Sequence, residues 1–294
     1  MPIVYIGIIL LCRIAQNLSN KKTSNEISDM PLFIYYSGFR QILSAILALL
    51  TILIGKNGFQ CDLPTVLISG FSGAMLILNM MCNIFAMKSG TIALCSMFST
   101  AGLIVPCIAG IFVFNIPIRP LQWFGVAIFL CSAYLLIGSS KKLYTNFSIK
   151  TLILLIGCLL SNGAVMFAQQ IFAFWVPDGN VSMFSFLSFG MLGAVMMLIT
   201  PVMYKAKAQH MERLSKKLVL YGVVLSVCVF IINQLTTTLA AAVPPVVLFT
   251  IINGGGTIIA AVVAAVCFRE KLTLRSGTGI ILGILALVII KAFG

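Results

Sequence analysis

The sequence predicts an all-α integral membrane protein of ten transmembrane helices arranged as two inverted five-helix repeats. Three observations predict it. Hydrophobic residues make up 61% of 294 and charged residues only 9%, against about 25% charged in soluble domains. Ten apolar runs are each long enough to cross about 30 Å of hydrocarbon at 1.5 Å per residue. Finally, the stretch Leu78–Leu130 matches the stretch from Ile232 onward at a constant shift of 154 positions. Asn79 answers Asn233, Ala86 answers Ala240, Leu94 answers Leu248 and Gly102 answers Gly256; Ile104 answers Ile258, Phe114 answers Phe268 and Gly125 answers Gly279. Seven identities are few for so apolar a chain, so the shared order of features carries the reading of a diverged internal repeat. Because five is odd, the second half enters the membrane with the opposite orientation, the plan common among secondary transporters.

The spans follow in order. The first, Pro2–Asn20, lacks the basic flank and small-residue cleavage site of a signal peptide and carries Arg13 in its middle, so it reads as a retained span. Pro31 opens the second, ending near Ile54, where its missing N–H costs nothing. Span three is Pro64–Met87, span four Thr91–Phe114 with a kink expected at Pro106, and span five Pro120–Gly138 with Trp123 at the interfacial belt. A basic linker at 139–149 separates the halves 1–138 and 150–294. Span six is Lys150–Trp175, followed by a turn at Pro177–Gly179, and span seven is Val181–Tyr204. Spans eight to ten are Leu218–Ala241, Val246–Phe268 and Ser276–Lys291.

Charge and cysteine usage exclude several classes. The formal net charge of +13 reflects basic loops that set orientation, so no nucleic-acid partner is expected. The connections after odd-numbered spans carry 14 Lys and Arg, and the other side carries only Lys56, Arg119 and Lys291. Positive-inside counting therefore puts both termini outside the cytoplasm. Of the 9 cysteines all but Cys61 lie in apolar runs, without metal or redox spacing, so neither a metal nor a cofactor is expected. The one histidine, His210, lies among charged loop residues and completes no catalytic pattern, which argues against an enzyme.

Polar residues at membrane depth each need an explanation. Span one places Arg13, Gln16, Asn17 and Asn20 at i, i+3, i+4, i+7, and span two repeats that spacing with Ser37, Arg40, Gln41 and Ser44. Span three offers Asn79 and Asn83; span four Ser96, Ser99 and Thr100; span six Asn162, Gln169 and Gln170. Span seven carries Ser182, Ser185 and Ser188, span eight Asn233, Thr236 and Thr237, and span nine Thr250, Asn253, Gly254 and Thr257. Any one serine here is explained by a bond across a helix contact or back to its own helix. So many aligned stripes together predict a shared cavity. Spans five and ten lack such stripes, and Gly279 and Gly283 in span ten suit a close bracing contact.

Arg13 and Arg40 sharpen that reading. Each sits roughly 14–17 Å along its helix, near mid-bilayer, at a cost of about 2.5–3.5 kcal/mol. All six acids (Glu26, Asp29, Asp62, Asp178, Glu212 and Glu270) lie in loops or at span ends. Neutral groups and water satisfy the arginines, or an anionic substrate does. A neutral, zwitterionic or anionic solute is expected, since a proton-coupled cation exporter wants a membrane carboxylate.

The run S-N-G-A-V-M-F-A-Q-Q at Ser161–Gln170 and the run F-R-E-K-L-T-L-R-S-G-T-G-I-I-L-G-I-L-A-L-V at Phe268–Val288, set in the five-plus-five plan, resemble the EamA-like branch of the drug/metabolite transporter superfamily. In that resemblance Glu270 is the acidic hinge after span nine, Gly279 and Gly283 are the glycines of span ten, and Arg40 stands where members often carry an arginine. The first half departs from it, with Ile116 at the hinge position. The resemblance implies a transporter that works by alternating access and exports a small metabolite across a bacterial-type plasma membrane. It also implies proton or counter-solute coupling, and a monomer or homodimer in the lipid bilayer. Its usual cytoplasmic termini are opposite to the charge count. Pro106 and Gly254, Gly255 and Gly256 occupy nearly matched places in the halves and serve either as hinges or as close packing. A multidrug exporter of lipophilic solutes and a channel are the alternatives.

Overall fold

The computed structural model describes residues 2–24, 26–27, 29–55, 59, 61–88, 98–115, 118–137, 149–207, 214–267 and 274–292. Among them the helices are α1 (Pro2–Ser24), α2 (Met30–Ile54), α3 (Leu63–Lys88), α4 (Ile104–Phe114) and α5 (Pro120–Ile137). They continue with α6 (Ile149–Trp175), α7 (Val181–Ala206), α8 (Lys216–Leu239), α9 (Pro245–Cys267) and α10 (Leu274–Ala292). No strand occurs among the described residues, and the chain is all-helical. Six helices are long and apolar enough to cross a membrane: α1, α2, α3, α6, α7 and α8. The described parts of α4, α5, α9 and α10 contain shorter apolar stretches. Several long apolar helices are what a multi-pass membrane protein requires.

Local chemistry explains where the helices begin and end. The Asp29 side chain accepts from the Leu32 N–H at 3.0 Å and caps α2, with Pro31 in its first turn. Asn180 accepts from the Ser182 and Met183 N–H groups to start α7, and Ser215 caps α8 through the Leu218 N–H. Asn115 ends α4 at φ 51, the left-handed region that asparagine tolerates better than most residues. The fourth span differs from its expectation. A helical turn at 98–101 gives way at Gly102 and Leu103, and α4 starts at Ile104. The break precedes Pro106, which then lies in a first turn where an amide donor is not needed. Its cause is a backbone approach: a Cβ on Gly102 would lie 2.7 Å from the Leu159 carbonyl and 2.9 Å from the Gly163 nitrogen.

Helices in lipid gain little from apolar burial against each other, so small residues and close fit hold them together. α2 packs on α7 with Gly193 against Ile42 and Gly38 against Met196. α5 packs on α10, where Gly283 lies beneath Ser132 and the Ser132 hydroxyl donates to the Gly279 carbonyl at 2.7 Å. The largest buried cluster joins Ile9, Leu103, Phe129, Met166, Ile232, Phe249, Ile252 and Ile290, from seven segments of the chain. Outward-facing Ile54, Phe112 and Leu198 are exposed, as lipid contact demands.

Contacts between helices have a regularity of their own. α2–α7, α5–α10 and α4–α9 are pairs that exchange into themselves when each helix is replaced by the one five places on. Under the same exchange α3–α6 becomes α8–α1, α3–α7 becomes α8–α2, and α4–α6 becomes α9–α1; all of these pairs are in contact.

Candidate functional site

The stripes of α1, α6, α8 and α9 meet at one cavity of about 170 Å³. Arg13 and Gln16 enter from α1, Asn162 and Gln169 from α6, Asn233 and Thr236 from α8, and Asn253 from α9. Leu76 of α3 and Phe189 of α7 complete the wall, with Met166, Val229, Ile232, Phe249 and Ile252 as further apolar lining. Helical spacing accounts for the gathering, because residues three and four apart share a face. Seven residues of the sequence-predicted stripes thus come together: Arg13, Gln16, Asn162, Gln169, Asn233, Thr236 and Asn253.

Arg13 dominates the electrostatics. Its Nη1 donates to the Gln16 Oε1 at 3.1 Å. Its Nε is sealed from water and has no acceptor. The arginine stem lies over Gly256 of α9, where an added Cβ would come only within 3.6 Å of Cδ. Nη2 has no acceptor among the described residues either, and it is not sealed off. No acidic residue lines the cavity among the described residues.

A chain of hydrogen bonds leads away from the cavity through the second half. Gln169 Nε2 donates to Asn233 Oδ1 at 2.7 Å, and Asn233 Nδ2 donates to Ser185 Oγ at 2.9 Å. The Ser185 hydroxyl shares its hydrogen between the Val181 carbonyl at 3.0 Å and Gln234 Oε1 at 3.3 Å, and Gln234 Nε2 donates to Ser182 Oγ at 2.9 Å. The chain therefore runs from the cavity to the capped start of α7. Asn162 Nδ2 donates to the Ser99 carbonyl at 2.7 Å and ties α6 to the broken fourth span. Ser185 belongs to the stripe of span seven; Gln234 is not among the stripe residues, although it is a polar residue in an apolar run, and only the fold shows that the two connect.

Other predicted residues lie elsewhere. Arg40 and Gln41 do not line this cavity. The Arg40 guanidinium lies 5.7 Å from the Tyr36 ring centroid, a cation–π contact, and its carbonyl accepts from Ser226 Oγ at 2.9 Å. Arg40 Nε and Gln41 Oε1 are buried without partners. Asn79 reaches across to α6, donating to the Cys158 carbonyl and to Ser161 Oγ, both at 3.1 Å. Thr237 is buried and bonds back to the Asn233 carbonyl at 2.9 Å. The Ser99 hydroxyl is buried and unpartnered. Gly254 and Gly255 are packing positions: a Cβ would meet the Phe129 ring at 2.7 Å and Leu10 at 2.9 Å, respectively. Gln170, named only as part of a stripe, is fully buried with neither amide atom partnered. Ser96, Glu270 and residues 139–148 of the linker fall outside the described residues, as do the side chains of Asn17 and Asn83.

No family model matches the sequence, and no relative is found among curated proteins. Solved structures do resemble it. A protein of known crystal structure is similar over 99% of both chains with a TM-score of 0.77, at 12% identity. At that identity the likeness shows the fold alone, and it extends over the whole chain.

Proposed function

We propose that this chain is a ten-span carrier that moves a small neutral or anionic metabolite across a bacterial-type plasma membrane by alternating access. In this reading residues 1–138 and 150–294 are inverted repeats of the EamA-like kind, and the direction of net movement is export. The observation that carries it is the cavity between the halves, where Arg13 and Gln16 of the first half face Asn162, Gln169, Asn233 and Asn253 of the second. Mostly apolar walls around a few convergent polar groups are the usual form of a small-molecule site. The exchange regularity of the helix contacts supports the repeat, since a two-fold relation between halves requires it. Size favours a small solute over the multidrug alternative, because about 170 Å³ lies below the ~300–1,000 Å³ of drug-sized sites.

Counterflow in proteoliposomes tests the proposal. Vesicles preloaded with unlabelled solute should accelerate entry of labelled solute, drawn from a panel of organic acids, amino acids and sugars. Uptake that is never trans-stimulated, with conductance linear in voltage, would instead mark a channel.

A further inference from the structure

We propose that the Arg13 cavity selects a short organic monoanion, binding its carboxylate so that the occupied site is electrically neutral. This deepens the carrier reading and depends on it only for the transport arm of the test.

The argument begins with donors. A guanidinium stays charged at any accessible pH and offers five N–H groups in a planar fork. Among the described residues only one of them has an acceptor, through the Nη1 bond to Gln16. Nη2 and the second Nη1 N–H remain to donate to a carboxylate, the charge-assisted pairing that a guanidinium favours. The other polar lining residues, Gln16, Asn162, Gln169, Asn233, Thr236 and Asn253, are uncharged. The empty site therefore carries one net positive charge.

Charge balance then separates ligand classes. A net charge held between helices and only partly reached by water is unfavourable. A zwitterion leaves the site at +1 and a dianion brings it to −1. A monoanion brings it to zero. Secondary groups on the ligand have partners too. Asn162 and Gln169 spend their N–H₂ groups on the Ser99 carbonyl and Asn233 Oδ1, which leaves their own oxygens as acceptors. The Thr236 hydroxyl is buried at the cavity without a partner. A hydroxyl on a short acid finds both kinds of group, and its carbon chain meets Leu76, Val229, Ile252 and Phe249.

The test uses the full-length protein in detergent. Short monocarboxylates (acetate, lactate, butyrate) are each paired with the neutral amide of the same shape, and alanine and succinate serve as zwitterion and dianion. Concentration-dependent thermal shifts should show at least one carboxylate binding on the order of tenfold more tightly than its amide, and more tightly than alanine or succinate. Arg13→Gln should abolish the shift, Arg13→Lys should weaken it, and Arg40→Gln should leave it unchanged. Equal shifts from acid and amide, preference for alanine or succinate, no shift from any acid, or a full shift in Arg13→Gln overturns the proposal. If Arg13→Gln does not fold, the acid–amide pairs on the unaltered chain decide alone. Binding without counterflow defeats the carrier reading and leaves the site intact. Counterflow of an uncharged solute that Arg13→Gln does not affect has the reverse meaning.

Discussion

Asn79 and Asn233 are matched by the 154-position shift in the sequence, and their side chains make different bonds. Asn233 turns inward to its own half, joining Gln169 of α6 to Ser185 of α7. Asn79 turns outward, leaving its half to bond Cys158 and Ser161 of α6. Broad contacts follow the same division. α8 packs on α6 and α7, whereas the corresponding α3 makes no contact of that extent with α1 or α2 among the described residues. The glycines differ likewise: Gly102 is jammed against the α6 backbone, while its counterpart Gly256 has ordinary contact with the Arg13 stem. The two stretches matched by that shift thus sit in unlike arrangements, one drawn together and one leaning on its neighbour. In the proposed carrier cycle the opposite state exchanges these roles, with Asn79 gathering its own half and Asn233 reaching across.

The glycine pair offers the largest contrast. Gly102→Ala forces a methyl group into backbone atoms that cannot move aside, and should cost about 1–3 kcal/mol, seen as a lower midpoint in thermal or denaturant unfolding. Gly256→Ala meets nothing closer than 3.6 Å and should stay within about 0.5 kcal/mol. Equal losses would remove the distinction between the halves at this position. Next comes the asparagine pair. Asn233→Leu strands the Gln169 amide, while Ser185 keeps its bond to the Val181 carbonyl of its own helix, and should cost about 1–2 kcal/mol, near the upper range for polar contacts between membrane helices. Asn79→Leu leaves Ser161 bonded to its own helix at Gly157, so a loss near 0.6 kcal/mol is expected. The reverse order would show that the first half is the better-tied one. The smallest effect is Thr237→Val. Its hydroxyl bonds only to its own helix, and both stability, within about 0.5 kcal/mol, and ligand-induced thermal shift should be retained.

Helix positions were legible in the sequence because apolar length and proline or capping residues act locally: Pro31, Asn180 and Pro245 all stand at helix starts. The cavity was legible in part for a similar reason. Spacing at i, i+3, i+4, i+7 says which side of a helix is polar, and Arg13, Gln16, Asn233 and Asn253 do face one space. Spacing says nothing about what that side meets. Ser37, Arg40, Gln41 and Ser44 repeat the spacing of Arg13, Gln16, Asn17 and Asn20, yet that face of α2 meets Ser226 of α8. The break before Pro106 was hidden for another reason. Proline announces itself in a sequence, whereas the approach of Gly102 to Gly163 depends on two residues 61 positions apart.

The place of Arg13 has an electrical consequence. Its backbone belongs to α1 of the first half and its stem rests on Gly256 of α9 in the second, so its charge rides on the seam between them. A slide of about 3 Å at that seam is about a tenth of the ~30 Å hydrocarbon layer. It carries about a tenth of a charge's full response to membrane potential, about 0.2 kcal/mol per 100 mV. An empty seam therefore feels the membrane voltage weakly, and a seam holding a monoanion, with the charge cancelled, does not feel it.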